Sequence, residues 1–448
     1  MRVRPSARTG LASFWRRCPW GRLLLLGAMV MSACGTGGPP APNVLLITID
    51  TLRADHVGAW GYPLPTTPNL DALAADSVVF ERASAHASWT LPSLATLMTS
   101  LHTSTHGCWT FQDALGQSFT TLAEILAEHG YATAAVVNHV FLGRRYGLHQ
   151  GFRFFDESLV RRRGHSRRQI TSDKVTGRAV RWIREHGNAE TPWFLWVHYF
   201  DPHDIYRVHP GISERFGTKM PVQRYDGEIA FTDLHIGELL RVVDELATPE
   251  RTIVWVVGDH GEEFGDHGGW FHGRTLYQEQ LHVPLMVRAP HGTPGRFTAP
   301  VGLIDVLPTT LDLLGLPIPG DVQGESRVDA MRGAASASTP ILAEVGLFRR
   351  SGARVSVQQG EWKLIRSQRS GDTRLFNLAE DPRELRDVAE AFPGRVRELE
   401  TLMDAKVAAA REQARTYEAT PRLQLTEPER RRLESLGYLE LRRRAPGR

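Results

Sequence analysis

Four side chains that together could activate a hydroxyl group lie near the ends of two apolar segments. Asp50 directly follows the apolar run 44–49, Asp259 and His260 follow a second such run, and Thr90 comes forty residues after Asp50. A threonine hydroxyl is almost un-ionised at neutral pH, but binding to a divalent cation lowers its pKa and makes it reactive. These residue types therefore predict a metal site in which all four side chains are ligands and Thr90 is the nucleophile.

The oxygen and nitrogen donors of this set favour one Zn²⁺ or Mn²⁺ ion. Ca²⁺ also accepts oxygen ligands, so it stays open as a third identity. Whether a second metal ion binds is not decided by these residues.

Each member of the set also has a structural interpretation. Thr90 precedes a helix pattern and could be its N-cap, which is the commoner role of a threonine at such a place. Asp50 could cap or close a turn after its strand. Asp259 and His260 are harder to explain in this way, because burying a charge at the end of a sheet is costly unless it is paired or metal-bound. Taken together, the four favour the metal site.

Strand and helix patterns alternate along the first two thirds of the chain, which predicts a large, mostly parallel sheet flanked by helices. Ligands of such sheets bind outside the carboxyl ends of the strands, where Asp50 and Asp259 lie. The predicted strands are 44–49, 131–137, 193–199, 252–257 and 283–288, and the predicted helices are 69–75, 92–99, 120–129, 170–186, 225–246 and 304–314.

After Gly315 the pattern changes to short alternating strands between 341 and 378 and a helix over 382–413. This predicts a small C-terminal antiparallel subdomain. We therefore expect a signal peptide at 1–33, a lipidated cysteine and tether at 34–42, a catalytic domain at 43–332, and the C-terminal subdomain with its terminal helix and basic tail at 333–448.

The N-terminal segment has the pattern of an export signal. An arginine-rich stretch precedes the apolar run 23–31, which is short for a membrane span, and Ser32, Ala33 and Cys34 follow. This ending resembles a bacterial lipobox, although an ordinary cleavable signal is the alternative. We predict lipidation at Cys34, which would anchor the protein to a membrane of the bacterial cell envelope, on its periplasmic or extracellular face.

The composition limits the partners of the protein. The chain has 448 residues, of which 42% are hydrophobic, and a formal net charge of +3. No long basic stripe dominates the body, which argues against a nucleic-acid partner. Cys108 is the only cysteine in the body of the chain, so no disulfide framework is expected. The oligomeric state is not indicated.

A series of motifs in consistent order resembles the sulfatase family of the alkaline-phosphatase superfamily. The resemblance implies an alkaline-phosphatase-like α/β fold and an ester hydrolase or phosphotransferase that acts on an anionic ester. The motifs lie at residues 43–55, 67–71, 89–99, 225–229, 258–262, 275–279, 283–285, 362–365 and 375–382.

The chain departs from the family pattern at the nucleophile. Sulfatases have Cys or Ser there, followed by x-Pro-x-Arg, and convert that residue to formylglycine, whereas this chain has Thr90 and, in the arginine slot, Leu94. Thr51 replaces the second aspartate of the family's pair. The two active-site lysines are absent: His272 lies near one slot, and Asn138 or the following histidine near the other.

The resemblance also implies residues that contact the substrate. His203 matches a family histidine that contacts the substrate anion, and His203 and His272 are the predicted catalytic partners of Thr90. Both histidines, with Asn138 and Arg53, are candidates for substrate binding, although pairing with a carboxylate is the alternative for Arg53. His272, with Asp201 or His203, is also a candidate for holding a second metal ion.

A threonine nucleophile affects the choice of substrate. Formylglycine releases sulfate by elimination, which threonine cannot do, so we expect phosphodiesters, phosphomonoesters or phosphonates rather than sulfates. Three alternatives stay open: a sulfuric ester hydrolase that works without formylglycine, a phosphoglycerol- or phosphoethanolamine-type transferase, and a non-catalytic, anion-binding lipoprotein.

Overall fold

The apolar run that precedes Asp50 is a central strand of the main sheet. This strand, β1, spans Asn43–Ile49, and every residue in it is buried. Its side chains alternate between two hydrophobic cores: Val44 and Leu46 pack in one, and Leu45 and Ile47 in the other. Burial on both faces is what an unbroken apolar run in a parallel sheet requires.

The structure is a computed structural model that describes residues 41–161, 171–187, 190–247, 249–334, 339–346 and 352–435. The predicted signal peptide, the lipidation site Cys34 and the basic C-terminal tail lie outside the described residues. Among the helices that are described, none is both long enough and apolar enough to cross a bilayer.

The main sheet has eight strands, and helices cover both of its faces. The order of the strands is β8-β2-β7-β6-β1-β5-β3-β4. The remaining seven strands are β2 (Val78–Phe80), β3 (Ala132–Val136), β4 (Phe154–Asp156), β5 (Trp193–Tyr199), β6 (Thr252–Gly258), β7 (Leu285–Arg288) and β8 (Gly295–Phe297). The predicted large, mostly parallel sheet is confirmed.

One strand of this sheet runs against the others. β7 is antiparallel to both of its neighbours, β6 and β2, whereas the other neighbouring pairs are parallel. Because of this reversal, β7 begins at the same edge of the sheet at which β6 ends. Residues 259–284 therefore leave the sheet and return to it at one edge.

The described helices are α1 (Pro68–Ala75), α2 (Thr90–Thr99), α3 (Thr103–His106), α4 (Leu122–Glu128), α5 (Ser158–Arg161), α6 (Ser172–His186), α7 (Pro221–Ala247), α8 (Gln278–Leu281), α9 (Val306–Leu313), α10 (Val328–Met331), α11 (Pro393–Ala414) and α12 (Glu427–Ser435). Most predicted helices end within a few residues of these bounds. Helix α4 starts at Leu122 rather than 120, because Thr121 and Glu124 form a capping box.

The small antiparallel sheet that the C-terminal pattern predicts is present. Its strands, in order, are β9 (Ile341–Val345), β10 (Arg354–Gln359), β11 (Trp362–Ser367) and β12 (Thr373–Asn377). Helix α11 packs on this sheet through a third hydrophobic core. The helix predicted over 382–413 begins only at Pro393, since proline is favoured in the first turn of a helix and the preceding residues form turns.

Candidate active site

Two strand ends bring the predicted metal ligands together. β1 and β6 are neighbours, and Ile49 pairs with Gly258, so the next residues, Asp50 and Asp259, lie side by side beyond the sheet. Asp50, Asp259 and His260 are fully buried and each offers a ligand atom within 4.8 Å of the others. His260 Nε2 is 3.6 Å from Asp50 Oδ1 and 3.7 Å from Asp259 Oδ2.

The hydrogen bonds of this cluster leave three acceptor atoms facing one another. His260 Nδ1 lies 2.9 Å from the Gly261 carbonyl, which can only accept, so the proton of the neutral ring is on Nδ1 and Nε2 carries a lone pair. Asp50 Oδ1 and Asp259 Oδ2 are buried and have no hydrogen-bond partner. Buried oxygens without a donor are costly, and a divalent cation would satisfy both of them while also binding the lone pair of His260 Nε2. The donor set therefore fits a metal ion.

The electrostatics agree with this geometry. Burial raises the pKa of Asp50 well above its ordinary value, and the negative charge of Asp259 adds to that shift. Burial likewise raises the pKa of Asp259 and lowers that of His260. Without a cation, burial thus disfavours the charged form of each of these three side chains.

Thr90 joins this cluster at the N-terminus of helix α2. Its Oγ1 lies 3.3 Å from His260 Nε2, and the residue is fully buried. The helix begins at Thr90 itself, and the N-cap is Trp89, whose side chain makes no capping bond. The alternative of Thr90 as N-cap is therefore wrong, and so is the predicted helix start at 92. The Ser93 hydroxyl donates to the Asp259 carbonyl and joins the helix to the end of β6.

Thr51, in the slot of the family's second aspartate, holds the cluster through its backbone. Its φ of 54° is in the left-handed region, which is uncommon for a threonine. In this conformation its N–H donates to Asp259 Oδ1 at 3.1 Å, and its carbonyl accepts from the Tyr225 hydroxyl at 2.6 Å. Because Oδ1 of Asp259 is used in this way, Oδ2 is the oxygen that faces His260.

The two predicted catalytic histidines lie beside the cluster. The ring centroids of His272 and His260 are 4.7 Å apart, and those of His272 and His203 are 4.8 Å apart. His203 Nδ1 lies 2.8 Å from the Asp204 carbonyl, and His272 Nδ1 lies 3.0 Å from Glu262 Oε1. Burial lowers the pKa of His203 to about 4 and that of His272 to about 3, so both rings are neutral near pH 7.

Glu262 is a residue that sequence reasoning missed. It is fully buried and accepts from the Tyr206 hydroxyl at 2.9 Å as well as facing His272. Burial raises the pKa of Glu262 to about 7. Its position within the motif that follows Asp259 was the available signal.

The guanidinium of Arg53 has no N–H group left to bind a substrate. Its guanidinium makes five hydrogen bonds: two to Asp55, two to Asp266 and one to the Glu262 carbonyl. A guanidinium has five N–H donors, so all of them are used within the protein. The structure therefore places Arg53 in the carboxylate pairing that was the alternative to substrate binding.

Asn138 and Asp201 also have partners within the protein. The Asn138 amide donates to the Thr171 hydroxyl at 2.7 Å. The Asp201 carboxylate accepts from the backbone N–H groups of Thr171 and Ser172, at the start of helix α6. Within the described ranges, Asp50, Asp259 and His260 form the one group of metal-ligating side chains. A second ion with Asp201 as ligand is not what this geometry favours.

Two further histidines approach Asp50 from the opposite side to His260. His198 Nε2 is 3.4 Å and His139 Nε2 3.8 Å from Asp50 Oδ2, and all three side chains are fully buried. The sequence had pointed to His139 only as a neighbour of a lysine slot. His198 lies within an apolar strand pattern, where a histidine is readily taken for a structural residue.

Comparison with known proteins shows the family to which the chain belongs. The family model described as Sulfatase matches residues 42–316, more than half of the chain. This chain belongs to the sulfatase family. A second model, described as N-sulphoglucosamine sulphohydrolase, C-terminal, matches residues 265–413 of this sulfatase-family hydrolase.

Relatives of this sulfatase-family hydrolase align with most of its length. Arylsulfatase K of Gallus gallus is 24% identical over 464 residues, covering 85% of this chain and 86% of the relative. The crystal structure of a phosphonate monoester hydrolase of Agrobacterium radiobacter superimposes with a TM-score of 0.67 at 22% identity, covering 87% of this chain and 99% of that chain. Another solved structure, in complex with its substrate D-glucosamine-2-N,6-O-disulfate, gives a TM-score of 0.69 at 16% identity, covering 84% and 98% of the two chains. These structural likenesses show a shared fold.

Proposed function

We propose that this sulfatase-family hydrolase cleaves phosphate or phosphonate esters with Thr90 itself as the nucleophile. The observation that carries the proposal is the position of Thr90 Oγ1, 3.3 Å from His260 Nε2 and beside two buried carboxylates. Each of those carboxylates has one oxygen without a hydrogen-bond partner. A buried hydroxyl next to a set of metal-donor atoms is the arrangement that a direct alcohol nucleophile needs.

Asp50, Asp259 and His260 would hold one divalent cation, with Thr90 as the fourth donor. A cation at this place supplies positive charge that stabilises the ionised hydroxyl and the negative charge developing on the ester. Zn²⁺ and Mn²⁺ are favoured by the mixed oxygen and nitrogen donors.

The reaction has two steps, and one proton moves in each. In the first, a bond forms between Thr90 Oγ1 and phosphorus while the bond to the leaving oxygen breaks, and the hydroxyl proton ends on that leaving oxygen. In the second, water attacks phosphorus, the bond to Thr90 breaks, and a proton from water returns to the threonine. A neutral imidazole can carry the proton in both steps, which suits His272 or His203 in their resting state.

The bond of Glu262 to His272 fixes the form of that imidazole. With a pKa of about 7, Glu262 is partly ionised at neutral pH, and in its ionised form the carboxylate only accepts. That form holds the His272 proton on Nδ1 and leaves Nε2 as the basic atom. This is the arrangement of a histidine that first takes and then returns a proton.

The preference for phosphorus over sulfur follows from the nucleophile. A threonine cannot form the hemiacetal through which formylglycine releases sulfate, so a sulfated Thr90 would have to be hydrolysed directly. The resemblance in fold to a phosphonate monoester hydrolase is consistent with this preference. A sulfuric ester hydrolase is the second candidate, because a relative that covers most of the chain is named as an arylsulfatase.

The experiment compares the turnover of four esters by the Zn²⁺-loaded and the Mn²⁺-loaded protein. The esters are bis(p-nitrophenyl) phosphate, p-nitrophenyl phenylphosphonate, p-nitrophenyl phosphate and p-nitrophenyl sulfate. We expect turnover of one or more phosphorus esters to exceed that of the sulfate. Adding glycerol as acceptor distinguishes a transferase, since a glycerol ester then appears among the products. Faster turnover of the sulfate would favour the second candidate.

Substitution of the nucleophile completes the test. Thr90→Ala is expected to lower kcat/KM by at least about 10³-fold, as loss of a nucleophile does in other hydrolases. Thr90→Ser, which keeps a hydroxyl, should retain part of the activity. Thr96→Val is the matched control, because Thr96 is a buried threonine of the same helix whose hydroxyl faces His106 instead. Equal activity of Thr90→Ala and Thr96→Val would contradict the proposal.

The proposal includes anchoring to the cell envelope through Cys34. It rests on the short apolar run and the cysteine that follows it. In cells, the wild-type protein should sediment with membranes and incorporate labelled palmitate, and Cys34→Ser should do neither. Membrane association of Cys34→Ser would show that another segment anchors the protein.

A further inference from the structure

Three side chains form a hydrogen-bonded chain that ends at Asp50. The Trp196 indole donates from Nε1 to Thr48 Oγ1 at 2.9 Å, and Thr48 Oγ1 lies 2.9 Å from His198 Nδ1. Thr48 and His198 are register partners of β1 and β5, and Trp196 is two residues before His198 on the same face of the sheet. None of the three side chains touches solvent.

The partners of Thr48 fix the position of its proton. An indole N–H can only donate, so Thr48 Oγ1 accepts from Trp196. Of the partners that the described structure gives this hydroxyl, only His198 Nδ1 can accept its hydrogen. The His198 ring therefore carries its own proton on Nε2, the nitrogen that lies 3.4 Å from Asp50 Oδ2.

The other nearby rings make the two oxygens of Asp50 unequal. The backbone N–H of Phe141 donates to His139 Nδ1 at 3.2 Å, so Nδ1 is an acceptor and Nε2, 3.8 Å from Asp50 Oδ2, is the nitrogen of His139 that carries a proton. Oδ2 thus faces two N–H groups. Oδ1 has no donor and faces the lone pair of His260 Nε2 at 3.6 Å.

We propose that Trp196, Thr48 and His198 form a positioning chain that turns Asp50 Oδ1 towards the cation and keeps His198 itself from being a ligand. The inference rests on the metal centre of the proposed function and deepens it. Residues that orient a metal ligand typically contribute about 10- to 100-fold to metal affinity, so removal of one bond in this chain should be measurable without any substrate.

The experiment measures the dissociation constant of Zn²⁺ by competition with a chromogenic chelator, together with the number of zinc ions per chain. Thr48→Val removes the hydroxyl and keeps the size of the side chain, and we expect it to weaken binding by about 10- to 100-fold. Thr48→Ser keeps the hydroxyl and should remain within about threefold of the wild type, well below that range. One zinc ion per chain is expected throughout.

Thr133→Val is the matched control for loss of a buried hydroxyl in the same sheet. Thr133 lies in β3, and its hydroxyl donates to the Gly151 carbonyl rather than to a histidine. We expect its zinc affinity to equal that of the wild type. Thermal unfolding of each cation-free variant separates lost affinity from lost stability.

The outcomes separate this inference from the proposed function. Wild-type protein that binds no zinc would overturn the metal centre itself. Equal affinity of the wild type and Thr48→Val would overturn the positioning chain alone. Two zinc ions per chain, with one lost in Thr48→Val, would show that His198 is a ligand and would also overturn the chain.

A measurement on the unaltered protein covers the case in which Thr48→Val does not fold. Neutron diffraction from deuterated wild-type crystals locates the proton of each ring. Deuterium on His198 Nε2, with a bare Nδ1, is the expected result. The opposite tautomer would overturn the inference.

Discussion

Asp259 should contribute a defined gain in stability to the cation-free protein when the pH falls from 7 to 5. This contribution is opposite in sign to that of buried histidines such as His260 and His272, whose lowered pKa values cost stability over the same interval. Burial raises the pKa of the Asp259 carboxyl in the folded chain. The folded chain therefore keeps a proton that the unfolded chain loses above the ordinary aspartate pKa of about 3.9. The contribution of Asp259 to stability then falls as the pH rises above that value, and it recovers on acidification.

The magnitude follows from the number of protons. Each proton that only the folded chain holds changes the free energy of unfolding by about 1.36 kcal/mol per pH unit. Two pH units give up to about 2.7 kcal/mol for Asp259. With roughly 400 folded residues and about 2.1 cal/mol/K of unfolding entropy for each, this corresponds to about 3 °C in Tm.

The assay compares Asp259→Asn with the wild type, both stripped by a chelator, in thermal unfolding at pH 5 and pH 7. Asparagine keeps the oxygen that accepts from the N–H groups of Thr51 and His260, so this substitution removes the titrating group and preserves those two hydrogen bonds. The change in the free energy of unfolding from pH 7 to pH 5 should be more favourable in the wild type than in Asp259→Asn, by up to about 2.7 kcal/mol. Saturating Zn²⁺ should abolish the difference. Equal changes in both cation-free proteins would refute the reasoning.

Three other outcomes are expected. His272→Gln should lower kcat by about 10²-fold for alkyl phosphodiesters but much less for p-nitrophenyl esters, because a good leaving group needs no proton. An equal loss of kcat across a series of leaving groups would contradict the role of His272 as proton carrier. Burial lowers the pKa of His267, but the hydrogen bonds to Glu279 and to the Glu384 carbonyl, together with the negative charges of these two residues, outweigh this effect and raise it to about 9. The ion pair should therefore stabilise the fold fully below about pH 6.5 and lose this effect as the pH rises through 9, so the stability deficit of His267→Gln in urea should shrink between pH 7 and pH 10. Arg53→Lys should cost about 2–3 kcal/mol of stability, because lysine cannot replace five bonds, while KM stays unchanged; a raised KM at full stability would show that Arg53 binds the ester.

The sequence predicted the parts of the site that depend on strand ends. β1 and β6 are uniform apolar runs, and the rule that ligands bind beyond the carboxyl ends of parallel strands places Asp50 next to Asp259. No local pattern distinguishes the roles of Arg53 and His198. The contact of Arg53 with Asp266 spans 213 residues and that of His198 with Asp50 spans 148, so both depend on the completed fold.

The predicted boundaries of two helices were wrong where the local sequence signals were ambiguous. A proline early in a helix pattern suggested a start at 92, whereas the backbone N–H of Ser93 donates to the Trp89 carbonyl, so the helix already begins at Thr90. Polar residues between 382 and 392 fit a helical periodicity but form turns before Pro393. The reversed direction of β7 has no sequence signature, because its residues are as apolar as those of its parallel neighbours.

The reversal of β7 places one side of the candidate active site on a single excursion of the chain. Residues 259–284 start from β6 and end at β7 without crossing the sheet, and they include two metal-ligand candidates as well as Glu262 and His272. A length change within this excursion leaves the pairing of β6 with β7 in the main sheet unchanged. We therefore expect differences in substrate choice among relatives to concentrate in this segment while the sheet beneath it stays constant.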